Sequence, residues 1–482
     1  MKQAVITIAG LLLTMSAAAA RQSDTDNRHS PVIKILNAMA EGEDSLRQDS
    51  IVVQTIPAQA PAPVVTEAKP VMPVAPEADE QKGNTFTIDA QVRARGEYDH
   101  GAITPRERGD DAAIFFNERA RVSIGYERQN LQLKASVQHT GIWGQDAINE
   151  RSGRVAMHEA WAKGYTNNGL FMQVGRQELS YDDERILGAS DWDIAGNSHD
   201  ALRMGFENEE HKAHIFGSLN QSIDHDRIGN YIGPMPYKNL AGVWYHYQPR
   251  DLGLGISVLG LNIGVERTRL GEATGDVKYM QLAGTHITYA FSDFDFAASF
   301  YYQRGTEARS RKDISAYMAS GRAAYNGDIV GGFLAYDYLS GNNGRNTNQH
   351  AFTPLYGTAH KFNGAMDYFT SSLECGLQDA QAGVFVNIGR KRPETGRPVT
   401  ISGNYHYFLT GEKYGDLEWE LGHETDFQVT ARLLRDLTIT AGYSFMLGTE
   451  TLDYFKSGNH LMWQDWGYLT ICFNPRILKL KW

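Results

Sequence analysis

Asn84-Thr85-Phe86-Thr87-Ile88-Asp89-Ala90-Gln91-Val92-Arg93-Ala94-Arg95-Gly96-Glu97-Tyr98 sets two kinds of side chain against each other. Successive residues of a strand point to opposite sides, so Phe86, Ile88, Ala90, Val92, Ala94 and Tyr98 share one face while Asp89, Gln91, Arg93, Arg95 and Glu97 share the other. A soluble sandwich alternates in the same way. Here the pattern recurs as far as Trp482, with charge gathered on the face a barrel turns towards water. That repetition favours a closed sheet with lipid outside and water inside.

The start of the chain points to export. Lys2, the apolar run Ala4 to Met15 and the small residues Ala18-Ala19-Ala20 have the order of a removable signal peptide, expected over 1–20. No cysteine follows that site, which excludes a lipoprotein anchor, and two cysteines, Cys375 and Cys472, are too few for a disulfide-stapled scaffold. One bridge between them stays open. Beyond the signal no run approaches about 18 apolar residues, so no helical membrane span is expected. The composition agrees with a barrel: glycine is abundant at 48 residues, tyrosine at 24 exceeds phenylalanine at 20, and 21% of residues are charged. The mean hydropathy of −0.42 leaves little material for a large conventional core.

Residues 21–83 read differently. A short helix is conceivable over Pro31 to Leu46, after which Pro57, Pro61, Pro63, Pro70, Pro73 and Pro76 favour extended polyproline-like backbone. Twenty such residues reach about 60 Å, so this segment reads as a periplasmic arm and Pro/Ala-rich linker. Asp49-Ser50-Ile51-Val52-Val53 is similar to the short box by which TonB-dependent receptors pair with their energising partner through strand addition, although no plug domain follows it. A periplasmic protein partner for 21–83 and a plain spacer are both compatible with these residues.

From residue 84 onward eighteen strands are expected: 85–98, 114–126, 131–142, 155–165, 169–177, 201–207, 212–219, 237–248, 254–264, 277–290, 293–303, 313–325, 329–339, 381–390, 398–409, 416–433, 436–447 and 465–474. The fold class is therefore all-β, a transmembrane antiparallel barrel over 84–482, its even strand number bringing both ends to the periplasmic side. Gln129-Asn130, Asn167-Asn168-Gly169, Ser292-Asp293 and Asn326-Gly327-Asp328 suit tight turns. The longer segments 179–200, 220–236, 340–363 and 449–464 are expected mainly outside. The chain ends on an aromatic strand with Trp466, Tyr468, Leu469, Ile471 and Phe473, which resembles the insertion signal of bacterial outer-membrane proteins.

Parity assigns the lumen. With Val122, Ile124 and Tyr126 towards lipid, Arg119 and Arg121 point inward beside Arg93 and Arg95, and the face Leu131, Leu133, Ala135, Val137 sends Lys134 inward too. On 416–433, outward Trp419, Leu421, Phe427 and Val429 leave Glu418, Glu420, Glu424 and Asp426 as the inward acids. Arg176 falls with Leu170, Met172 and Val174 on the lipid face. Residues 1–83 carry 7 basic and 10 acidic side chains of the chain's 46 and 57, so 84–482 holds 39 against 47 and is itself acidic. The lumen field is thus expected to be mixed.

Several stretches resemble the alginate export porin family. Asp337-Tyr338-Leu339-Ser340-Gly341-Asn342, then Phe352-Thr353-Pro354-Leu355-Tyr356-Gly357-Thr358-Ala359-His360-Lys361-Phe362 and Met366-Asp367-Tyr368-Phe369, look like its signature. Gly175-Arg176-Gln177-Glu178-Leu179, Asp191-Trp192 leading to Asp200-Ala201-Leu202-Arg203, and His423-Glu424-Thr425-Asp426 with Ala441-Gly442-Tyr443-Ser444 agree in content and order. The resemblance implies an eighteen-stranded outer-membrane barrel conducting an anionic polysaccharide through an arginine-rich lumen, and it adds Asp200 and Arg203 to the substrate-facing set. Guanidinium groups pair bidentately with carboxylates, and a row of weak sites suits passage better than one tight site. The same inward charges would also serve merely to pair with Asp89, Glu97 or Glu118 and keep the lumen wet.

Other classes find less support. His158-Glu159, His199-Asp200 and His423-Glu424 are acid-histidine neighbours, but consecutive strand residues face opposite ways, and no nucleophile elbow, zinc-protease or phosphate-loop motif is present. No enzyme, cofactor or metal site is expected; Asp337 to Asn348 is rich in Asn and Gly yet lacks the acidic density of a calcium loop. Trp143, Trp161, Trp244 and Trp463 suit an interfacial girdle, with sugar stacking as the alternative. An acidic chain of pI near 5.8 without a basic tract gives nucleic acid no footing. The expectation is a passive channel in the bacterial outer membrane, surrounded by lipid, for an anionic polysaccharide or oligosaccharide. A small-solute porin and a non-conducting barrel that presents an interaction surface are its rivals.

Overall fold

The computed structural model describes residues 83–144, 155–220, 237–269, 272–345, 347–371, 373–393 and 395–482. The expected signal peptide, nearly all of the arm 21–83 and the box at Asp49 to Val53 lie outside the described residues.

The strands are β1 (Thr85–His100), β2 (Ala113–Arg128), β3 (Leu131–Ile142), β4 (Val155–Tyr165), β5 (Leu170–Gln177), β6 (His199–Glu207), β7 (His211–Leu219), β8 (Asn239–Tyr247), β9 (Leu254–Arg269) and β10 (Glu272–Phe291). They continue as β11 (Phe294–Thr306), β12 (Asp313–Asn326), β13 (Val330–Leu339), β14 (Leu377–Ile388), β15 (Val399–Leu409), β16 (Glu420–Leu434), β17 (Leu437–Gly448), β18 (Gln464–Phe473) and β19 (Arg476–Lys481). From β1 to β18 each strand pairs antiparallel with the next, and β1 closes the ring on β18 and β19. β18 and β19 form one interrupted stave, because Pro475 has no N–H to give the ladder and the register slips opposite Ile88 and Asp89. Closure is therefore by eighteen staves, as the strand pattern requires. Asn84 and Trp482 exchange backbone hydrogen bonds of 2.7 and 3.1 Å, joining the two ends of the barrel sequence at one rim.

That rim also carries the short turns. Asn130 and Ser292 adopt φ of 83° and 54°, the left-handed backbone that tight hairpins need and that Asn accepts most readily after glycine. The longer connections gather at the opposite rim, which by the usual asymmetry of such barrels is the extracellular one. A short helix there, α1 (Glu450–Lys456), begins at Thr449, whose hydroxyl accepts from the Leu452 N–H, and it buries Leu452 against the sheet.

The outer face is apolar and open to its surroundings. Val122, Leu202, Val258, Leu334 and Val384 are among many large hydrophobic side chains 40–70% exposed, while the residues on either side of each are buried or half-buried. In water such a belt would be an aggregation surface; against lipid it is the stable arrangement. Trp143, stacked on Phe116, and Trp463, stacked on Phe445, occupy the outer face, as a girdle requires. Trp161 and Trp244 do not: Trp161 donates to Glu159, and buried Trp244 donates to Asp182 inside the barrel.

Two long connections depart from expectation. Residues 178–198, between β5 and β6, and 340–376, between β13 and β14, fold into the barrel instead of lying outside it. Leu179, Ile186, Leu187, Phe352, Tyr356, Met366, Tyr368 and Phe369 are buried against inward residues such as Phe216, Leu259, Tyr301 and Phe408. Leu187 and Tyr356 form a parallel bridge between the two segments, with Gly188 N–H donating to Tyr356 and Tyr356 N–H to Ile186. Apolar alternation identifies the staves; it carries no information about a loop whose apolar residues find their partners inside the barrel.

Candidate functional site in the lumen

Arg93, Arg95 and Arg119 point inward as parity sets them, and all three are buried. They do not line a vacant row. They converge on the segment 191–195. Arg93 donates to the carbonyl oxygens of Asp191, Trp192 (3.2 Å) and Asp193 (2.7 Å). Arg119 donates to the Asp191 carboxylate at 2.6 Å and to Gln91 at 2.8 Å. Arg95 is held by Glu97, donates to the Trp192 carbonyl at 3.0 Å and lies 4.1 Å above the Trp192 ring. Arg121 reaches Gln138 and, at 3.4 Å, the carbonyl of Ala195. Neighbouring guanidinium groups repel one another, and the carbonyl dipoles of 191–195 offset that repulsion while fixing the segment across the lumen. Lys134 is paired with Glu159.

Trp192 is the centre of an aromatic group. Its ring stacks on His360 at 3.9 Å and 5°, and meets Trp466 and Tyr468 edge-on. His360 in turn bonds Asp367 at 2.8 Å, so the two inward segments touch through their side chains as well as through backbone.

A second polar chain runs along the wall from β13 to β16, separated from β1 by two staves. Arg185 makes two bonds of 2.9 Å to Asp337 and one to Asp183, an arrangement that places a guanidinium fork on a fully buried carboxylate. Gln381 bridges Asp337 to Asp379, and His406 lies between Asp379 (3.0 Å) and Asp426 (3.5 Å). Glu424 accepts the Met366 N–H at 2.8 Å and thereby holds the second inward segment. Gly364 is needed there, because its φ is +92° and a Cβ would come within 2.5 Å of the Glu424 carboxylate. Glu424 Oε2 and Asp426 Oδ1 are buried without a hydrogen-bond partner.

Four expectations are corrected by local geometry. Asp200 lies on the outer face with Leu202 and Met204, where it pairs with Arg176 at 3.4 Å; its side chain is 57% exposed. Arg203, three residues further and on the inner face, donates to Gln173. Glu418 and Glu420 do not face the lumen with Glu424 and Asp426. Phe408 opposes Gly422 and Leu409 opposes Glu420, so Leu421 is an extra residue whose side chain turns inward and is fully buried. This bulge reverses parity above it: Glu420 meets His423 on the outside, and Glu418 is solvated near Lys413. A second bulge, with Ser136 opposite Glu159 and Val137 opposite Met157, turns both His158 and Glu159 inward although they are consecutive. His158, Glu159 and Glu178 consequently bring three ligand-type atoms within 4.8 Å of one another, their charges met by Lys134, Trp161 and mutual bonds. His199-Asp200 and His423-Glu424 do face opposite ways. Cys375 and Cys472 are both buried and unbridged.

Asp337, Asp379 and His406 belong to the site but escaped the sequence reading, though inward parity opposite Tyr336 and Tyr405 would have found them. Arg185 and Trp192 had no such signal, since both lie on a connection.

The alginate export family model matches residues 85–219. This range runs from β1 to β7 and contains the arginine cluster together with the segment it holds. Among solved structures, OccK1 (OpdK) of Pseudomonas aeruginosa superposes with a TM-score of 0.55 at 9% identity, covering 82% of this chain and 99% of that one. OccAB1 of Acinetobacter baumannii gives 0.56 at 12% identity over 81% and 97%. A BenF-like porin from Pseudomonas fluorescens Pf-5 gives 0.56 at 10% identity over 81% and 99%. These likenesses are of fold, and with the lipid-facing belt they define a porin-type barrel of the bacterial outer membrane. No curated protein matches the sequence.

Proposed function

We propose that this barrel is a passive outer-membrane channel for an anionic polysaccharide or oligosaccharide. The observation that carries the reading is the convergence of Arg93, Arg95, Arg119 and Arg121 on one level of the lumen, within the range that matches the alginate export model. Buried guanidinium groups in a confined, partly dehydrated passage favour carboxylates more strongly than they would in bulk water. Inward, half-buried Trp161, its indole N–H held by Glu159, offers a flat face of the kind on which sugar rings stack.

The test is single-channel recording of purified protein in a planar bilayer, with and without polyuronate. Reversible block by the polymer and a preference for anions are expected. Arg93→Ala, Arg95→Ala, Arg119→Ala and Arg121→Ala together should weaken both. Conductance that ignores polyuronate and is unaltered by those substitutions would contradict the reading.

A small-solute porin is the second reading. It is favoured by the inward segments 178–198 and 340–376, whose buried apolar residues occupy part of the lumen and narrow it. One solved neighbour, OpdK of Pseudomonas aeruginosa, is described with vanillate, a small carboxylate. Passage of monomeric carboxylates through liposome-reconstituted protein, with no polyuronate block, would select this alternative.

A further inference from the structure

We infer that Asp191 occupies, within the chain itself, the carboxylate seat that the lumen arginines offer to a passenger, so that passage requires an anion able to displace it. The inference rests on the anionic-passenger reading above and names how that site is regulated.

The contacts of the arginines on 191–195 fall into two classes. Arg93, Arg95 and Arg121 donate to carbonyl oxygens, which are neutral acceptors. Asp191 alone of this segment gives them a carboxylate, 2.6 Å from Arg119 and 3.8 Å from Arg93; the Asp193 carboxylate is turned aside to Ser190. The burial is lopsided. Arg119 is fully buried and the Arg93 side chain 10% exposed, yet that of Asp191 is 56% exposed. A structural ion pair would be expected to bury both partners. Here the cations are fixed in the wall and the anion stands in the passage.

Exchange follows from the chemistry. A carboxylate outcompetes a carbonyl for a guanidinium because charge-assisted bonds are about twice as strong. Against Asp191 it has no such advantage, since the tethered group is present at an effective concentration on the order of millimolar. A single uronate at low concentration therefore loses to Asp191, whereas a polymer presenting successive carboxylates to Arg93, Arg95, Arg119 and Arg121 wins by multivalency. The self-ligand thus selects polyanions over monomers and keeps the seat filled between passengers. Trp192, whose carbonyl and ring are both held by Arg95, stays with the wall while the Asp191 side chain is displaced.

The experiment compares wild type, Asp191→Asn and Asp191→Glu in planar bilayers, with polyuronate, monomeric galacturonate and a neutral dextran of matched length as blockers. Native folding of each is confirmed by heat-modifiable mobility on gels. For Asp191→Asn the half-blocking concentration of polyuronate should fall roughly tenfold, the ratio for one lost charge-assisted competitor, and galacturonate should begin to block. Dextran block should be unchanged, and Asp191→Glu should behave as wild type. Wild type blocked by polyuronate but Asp191→Asn blocked equally would overturn the inference alone. An equal shift for dextran would overturn it too, because the substitution would merely have widened the lumen. Absence of polyuronate block in wild type and Asp191→Asn alike would overturn the anionic-passenger reading itself.

Discussion

Arg185 and Asp337 show how much of the lumen is decided by single side chains. Asp337 is fully buried and receives both arms of the Arg185 fork, which ties the inward segment 178–198 to β13. Asp337→Ala leaves the guanidinium with Asp183 alone. Removing one partner of a buried pair costs about 3–5 kcal/mol, and the retained Asp183 contact puts this case at the lower end. A urea titration of the detergent-folded barrel should record the loss, and protease should cut 178–198 more readily; an unaltered midpoint would show that the pair contributes nothing. On the outer face, Leu202→Arg should cost about 2–4 kcal/mol near the bilayer midplane, whereas Asn404→Arg on the lumen face, opposite Asp426, should cost far less. Folding titrations into lipid vesicles separate the two. Equal costs would place lipid on the wrong side of the sheet.

Among the elements, the staves were legible and the bulges were not. Alternation located β1 to β13 within a few residues because each face has its own solvent, and a strand that slips by one residue exchanges them. The same strict alternation misassigned Glu418, Glu420 and Leu421, because an inserted residue at a bulge leaves no mark in a period-two pattern. Gly422, with φ of +140° and a Cβ position 2.3 Å from the Leu447 carbonyl, is the one local sign of it. Gly422→Val should therefore disrupt β16 at that point, lowering the yield of heat-modifiable, folded barrel; normal yield would argue against the bulge. Thiol labelling tests the same geometry from the side chains. With both native cysteines buried, Glu420→Cys should react with a membrane-impermeant maleimide and Glu424→Cys should not. The reverse would restore the simple parity. His158 beside Glu178 and Arg93 beside Trp192 mark a further limit: a neighbour contributed by a distant connection is invisible to any reading of one strand.

For the molecule as a whole, two solvents organise everything else. The outer belt is satisfied by lipid, and the backbone polar groups are satisfied around the closed ring, so stability does not call for one continuous apolar core. That freedom lets the interior carry charge. The lumen spends it unevenly: arginines on β1 and β2, the chain Asp337, Asp379, His406, Asp426, Glu424 on β13 to β16, and two inward connections held by them. On the channel reading proposed above, an interior of this kind, polar in its lining and narrowed by 178–198 and 340–376, is expected to conduct ions while discriminating among larger solutes. The most direct test is the conductance of purified protein, shown to be folded by heat-modifiable mobility, inserted into a planar bilayer. Discrete steps that scale with salt concentration and shrink when polyuronate is added are the expected result; folded, inserted barrels that pass no current at any salt concentration would contradict the account.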